Sequence, residues 1–118
     1  MTLALAGCGG SGIQTFDNPH GTLTVDTKSR FAVELEVNKS VGYDWQLIPT
    51  IEFESAPVTL AKTKVDYPDE HRAGESGTKL FEFRTTGRGR ATIIFQHTFR
   101  GAPRDRRVLT VDVRPSGP

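Results

Sequence analysis

The residues of this chain whose types could do covalent or metal chemistry are Cys8, His20, His71 and His97. A nucleophilic thiol needs a base held beside it, and Cys8 lies in a glycine-rich N-terminal stretch, ahead of every patterned segment. The histidines are scattered, with no His-x-His, Cys-x-x-Cys or His-Glu-x-x-His spacing that would gather metal ligands. Asp66-Tyr67-Pro68-Asp69-Glu70-His71 offers carboxylates to calcium but lacks the glycine and ordered ligand spacing of a dedicated loop, and reads as a solvated acidic loop. The sequence therefore predicts no enzyme, no metal and no cofactor.

Cys8 carries a different chemistry. Leu5-Ala6-Gly7-Cys8 followed by Gly9-Gly10-Ser11-Gly12 resembles a bacterial lipobox and its tether. There the thiol receives a diacylglyceryl group, small residues fit the signal peptidase, and a Gly/Ser segment links the anchor to a domain. Seven residues precede Cys8, none of them Lys or Arg, so the charged part of a signal and most of its apolar part are missing. Residues 1–20 are expected to be a lipoprotein signal remnant and flexible tether, placing the protein on a bacterial envelope membrane through Cys8. The competing reading is a disordered tail with a chance cysteine. No later segment is long and apolar enough to cross a membrane.

The chain has 118 residues, a formal charge of +1 and one cysteine. That length suits one domain with a real core, and a single cysteine excludes an intrachain disulfide. Arg84, Arg88, Arg90, Arg100, Arg104, Arg106, Arg107 and Arg114 crowd the last third. They are either a solvated surface or a basic face for acidic partners or anionic lipid. Aromatic residues are sparse among them, and nucleic-acid binding is not expected.

The elements that must position any site are strands. From residue 21 apolar residues alternate with polar ones, the mark of half-buried β-structure. In immunoglobulin lettering the strands are A (21–27), B (31–37), C (43–48), D (57–65), E (78–86), F (90–97) and G (107–113). Phe31, Val33, Leu35 and Val37 form the clearest inward face, opposite Glu34 and Glu36. No stretch keeps helical spacing, and Gly and Pro punctuate the chain at strand-length intervals. About seven short antiparallel strands over 21–114 predict an all-β, immunoglobulin-like antiparallel β-sandwich.

If successive strands alternate in direction, the B–C, D–E and F–G loops emerge at one pole. Loop length and unusual chemistry gather there, as on a scaffold that binds at one end. The B–C loop, Asn38-Lys39-Ser40-Val41-Gly42-Tyr43-Asp44-Trp45, is odd for a simple reversal, because Val41 stands near its tip with Tyr43 and Trp45 just beyond. Asn38 and Gly42 suit a turn, and Trp45 reads as core. Val41 has no local structural reason to be apolar.

These residues resemble the chagasin family, β-sandwich inhibitors of papain-like cysteine proteases. The family's B–C loop reads Asn-Pro-Thr-Thr-Gly-Tyr/Phe-x-Trp; Asn38, Gly42, Tyr43 and Trp45 match in register, Ser40 replaces Thr, and Lys39 and Val41 depart. Its D–E motif, Gly-x-Gly-Gly, is answered by Gly74-Glu75-Ser76-Gly77, with Ser76 for a glycine. Its F–G motif, Arg-Pro-Trp, is absent as such; Phe99, Arg100 and Pro103 supply the same residue classes in another order. The resemblance spans residues 20–114. It implies a monomeric, reversible inhibitor whose three loops enter the cleft of a papain-like cysteine protease, with Asn38–Tyr43, Gly74–Gly77, Phe99, Arg100 and Pro103 as contacts. Phe99 either turns outward into the partner or, sharing a face with His97, extends the core. The missing Arg-Pro-Trp keeps open a non-inhibitory immunoglobulin-like envelope module that binds another protein or glycan.

Overall fold

A computed structural model describes residues 13–38, 40–50, 56–67 and 76–115. Eight strands form two four-stranded sheets. The first holds β1 (Gln14–Asp17), β3 (Arg30–Val37), β6 (Gly77–Thr85) and β5 (Val58–Asp66), in that order. The second holds β2 (Gly21–Asp26), β8 (Ala102–Arg114), β7 (Gly89–Phe99) and β4 (Tyr43–Ile48). β2 to β8 correspond to the predicted strands A to G, and the fold is an immunoglobulin-like β-sandwich.

The alternation builds the core. Phe31, Val33, Leu35 and Val37 of β3 are all buried, as are Phe81 and Phe83 of β6. Facing them are Ala91, Ile93 and Phe95 of β7 and Leu109, Val111 and Val113 of β8. Phe31 stacks on its cross-strand partner Phe83 at 5.2 Å between ring centres, and Phe81 meets Phe95 across the sheets at 4.8 Å. Each large side chain taken fully out of water contributes about 1.5–3 kcal/mol, and a one-residue slip would turn the whole row outward.

Three features differ from the sequence reading. Residues 14–17, expected within the tether, form β1, whose Phe16 packs edge-on against Phe31 at 6.3 Å. A four-residue strand with one inward apolar residue is too short for a period to register. The sheets are mixed, because β1 runs parallel to β3 and β2 parallel to β8. After β1 the chain turns at Asn18 (φ 50°), whose amide donates to the Glu34 carbonyl, and crosses to the other sheet. Finally, β7 and β8 extend well past residues 97 and 107, so the F–G connection is a two-residue turn.

Direction places the connections. The β3–β4 and β7–β8 turns and the adjoining ends of β5 and β6 lie at one pole, together with the β1–β2 turn. At the other pole, the Thr27 amide donates to the Arg114 carbonyl, the Thr85 amide to Ser29 and the Thr86 amide to Pro57.

Candidate functional site

The B–C turn is organised by Asn38. Its carbonyl accepts from the amides of Val41 (3.2 Å), Gly42 (2.9 Å) and Tyr43 (2.9 Å), while its own amide donates to the Tyr43 carbonyl at 3.0 Å. Its side-chain oxygen accepts from the Val41 amide and the Ser40 hydroxyl. An asparagine can serve backbone and side-chain roles at once, which is why turns favour it. Ser40 is exposed. Val41 is half-buried rather than fully exposed at the tip.

Gly42 joins this turn to the next. It has φ 112°, and its carbonyl accepts from the Arg100 amide at 2.7 Å. A Cβ at this position would stand 2.7 Å from Cγ of Arg100, so both conformation and space require glycine.

The F–G tip is Arg100-Gly101, both with positive φ (51° and 84°), the signature of a type I′ hairpin. Just behind it the register shifts between His97 and Thr98: His97 faces Asp105, Thr98 faces Pro103, and Arg104 is the extra residue. Proline fits such an irregularity because it has no N–H to leave unpaired. Gln96 pins the bulge, donating to the Asp105 carbonyl at 2.8 Å and accepting from Arg106 Nε at 3.1 Å.

β4 and β7 then align an aromatic row on their inward face, from the core to the pole. Leu47 faces Phe95, Trp45 faces His97, and Tyr43 faces Phe99. His97 stacks on Trp45 at 4.6 Å and on Tyr43 at 5.5 Å, and Tyr43 meets Phe99 at 4.7 Å. The guanidiniums of Arg100 and Arg104 lie 5.1 Å and 5.9 Å from the Phe99 ring centre. Phe99, half-buried and outside the core cluster, thus ends this row at the pole and carries two cations, which attract its π-face. Arg107 lies 5.1 Å over Trp45 and donates to Asn18 Oδ1; burial pushes its pKa below the ordinary arginine value.

The D–E side reaches the same pole through its described ends. A Cβ on buried Gly77 would meet the Asp66 carbonyl and the Tyr67 ring at 2.6 Å, so the two strand ends can close only over a glycine. A cavity of about 310 Å³ separates this side from the B–C turn, lined by Glu36, Val37, Asn38, Tyr43, Ser76 and His97. Lys79 of β6 bridges the sheets, donating to the Trp45 carbonyl at 2.7 Å and to Asp44 Oδ1 at 3.2 Å.

The structure therefore gathers Asn38, Ser40, Val41, Gly42, Tyr43, Ser76, Gly77, Phe99, Arg100 and Pro103 at one pole. Pro103 is exposed within β8, and Gly77 is buried at the start of β6. Lys39, Gly74, Glu75 and Cys8 lie outside the described residues. Sequence reasoning missed the positioning roles of His97, Lys79 and Arg107. The period of strand F puts His97 on the inward face, a signal that was present; nothing local announces that Lys79 crosses to the other sheet. Among the described residues no cluster of His, Cys, Asp and Glu could hold a metal ion.

The sandwich ties its B–C turn to its F–G hairpin at one end through the Arg100–Gly42 bond, and loops held on a rigid scaffold are where binding residues concentrate. The chain belongs to the chagasin family of peptidase inhibitors, whose family model matches residues 24–113, and its class is inhibitor rather than enzyme. No curated protein matches it by sequence. Among solved structures it is similar to the cysteine protease inhibitor EhICP2 from Entamoeba histolytica, with 19% identity, 86% of this chain and 96% of that one covered, and a TM-score of 0.65. Amebosin gives 16% identity, coverage of 86% and 98%, and a TM-score of 0.64. PbICP-C, solved in complex with falcipain-2, gives 19%, 90% and 95%, and 0.53.

Proposed function

We propose that this protein reversibly inhibits papain-like cysteine proteases by seating its loop pole in the active-site cleft. The observation that carries the reading is the bond from the Arg100 amide to the Gly42 carbonyl, which makes the B–C turn and the F–G hairpin one preformed body. A preformed surface loses less conformational freedom on binding, and more of the contact energy remains as affinity. Ser40, Val41 and Gly42 form the apex, and Lys39, the residue before Ser40 in the sequence, is a further proposed contact. Ser76 and Gly77 flank the apex on one side, and Phe99, Arg100 and Pro103 on the other; Gly74 and Glu75 are contacts that the family resemblance implies. An apolar, glycine-containing apex sheds water more cheaply than a charged one. An interface of this class buries roughly 800 Å² on each partner. The capture of falcipain-2 by PbICP-C supports a cysteine protease as partner.

A second reading has its own support. The two-residue F–G tip lacks a tryptophan and presents arginines instead, which fits an immunoglobulin-like envelope module that binds other surfaces. Titration of papain and a cathepsin with the purified chain decides between them. Competitive, reversible, stoichiometric inhibition supports the inhibitor; full protease activity at a large molar excess supports the second reading.

A further inference from the structure

The pole opposite the loops is the more cationic face of the described structure. The turn after β2, the first residue of β3, the end of β6, the start of β7 and the end of β8 bring Lys28, Arg30, Arg84, Arg88, Arg90 and Arg114 together, all exposed. Carboxylates at this pole are mostly recessed beneath them. Glu82, its side chain 6% exposed, is paired with Arg30 and Lys62; Asp112, 13% exposed, is paired with Arg90 and Arg114. Asp26 is exposed, and Glu52 and Glu54 lie outside the described residues. Lys28, Arg84 and Arg88 make no ion pair among the described residues. Arg30 stands directly opposite Arg84 in the β3–β6 register. Like charges placed opposite each other disfavour pairing, so the fold gains nothing from this juxtaposition.

The chain enters the domain at the same pole. β1 is parallel to β3, with Gln14 beside Phe31 and Asp17 beside Glu34. It therefore runs from the cationic pole toward the loop pole. Cys8 precedes Gln14 by six residues, a reach of at most roughly 20 Å. β8 separates the two poles by roughly 40 Å at strand rise.

We propose that this cationic pole lies against an anionic lipid surface, with a lipid on Cys8 as the second attachment and the loops directed away from the membrane. A diacylglyceryl group brings two acyl chains, enough for stable anchoring, so the basic patch acts on how the domain is oriented and not on whether it is held. Each Lys or Arg near such a surface multiplies partitioning about five-fold. The tether holds the domain close, so this attraction needs only to orient it. The inference stands independently of protease inhibition.

Because Cys8 is the single cysteine of the chain, coupling it to a maleimide lipid reproduces the attachment point. The chain is tethered to vesicles of phosphatidylcholine alone, or with about one third phosphatidylglycerol, and its arginines are footprinted with phenylglyoxal. On the anionic vesicles, modification of Arg84, Arg88 and Arg90 should slow several-fold while Arg100 and Arg104 react as in the free protein. High salt, which shortens the screening length from about 10 Å to about 3 Å, should abolish that protection. In Arg84→Gln/Arg88→Gln, two exposed changes with no ion pair to lose among the described residues, Arg90 should lose its protection. Equal reactivity at both poles, protection of Arg100 and Arg104 instead, or equal protection on neutral vesicles would each overturn the proposal.

Discussion

The amide of Arg100 lies 2.7 Å from the carbonyl of Gly42, and a Cβ on Gly42 would come within 2.7 Å of the Arg100 side chain. Two turns separated by more than fifty residues therefore share one contact that only glycine permits. Gly42→Val puts a β-branched residue at φ 112° against that neighbour, a strain of about 1–3 kcal/mol. The melting temperature should fall, and inhibition of papain should weaken by more than the loss of folded protein explains, because the B–C turn and F–G tip separate. Inhibition that merely tracks the folded fraction would separate the joint from binding.

Val41→Asp tests the apex. Val41 is half-buried and outside the core cluster, so the folding cost should be small, about 1 kcal/mol or less. A carboxylate driven into a desolvated cleft should cost roughly 2–4 kcal/mol of binding, as hot-spot positions do. An inhibition constant equal to that of wild type would place Val41 outside the cleft.

Arg100→Ala/Arg104→Ala removes the cations flanking Phe99. Rim charges act chiefly on association rate and its salt dependence. Against a protease with an acidic cleft rim, the wild-type rate should fall as ionic strength rises, and the double variant should start lower and respond less. Stopped-flow association at two salt concentrations measures both. A rate indifferent to salt and to the substitutions removes the electrostatic role.

Trp45→Ala should act through the fold. Trp45 is 7% exposed, stacked on His97 and covered by Arg107. Deleting a buried aromatic of this size costs about 3–5 kcal/mol, enough for a fall of well over ~10 °C in melting temperature. Thermal unfolding should report it even if residual folded protein still inhibits.

Lys79→Met keeps the stem and removes the ammonium that reaches Asp44 and the Trp45 carbonyl. Charge-assisted bonds of this kind are worth about 1.5–3 kcal/mol when the partner is left behind, less here because Asp44 retains some access to water. Denaturant unfolding should show a shift of the midpoint without a change of slope.

Seven of the eight strands were legible in the sequence because period two, once one face must be buried, fixes which residues point inward. The strand from Phe31 to Val37 could have faced no other way. The Asn38–Trp45 turn was legible for a similar reason, since Asn and Gly announce a local conformation. Tertiary structure alone decided the rest. That Phe99 meets Tyr43 depended on β4 and β7 pairing in an unbroken register, a match set by two strands far apart in the chain. The shortening of the F–G connection was equally non-local, because residues 98–106 alternate poorly and are held as strands by backbone bonds to each other and by Gln96. β1, the bridge from Lys79 to β4 and the clustering of Lys28, Arg84 and Arg88 all arise from pairing direction. Local pattern records which face a residue takes; which distant residue it meets there is settled only when the sheets close over the core.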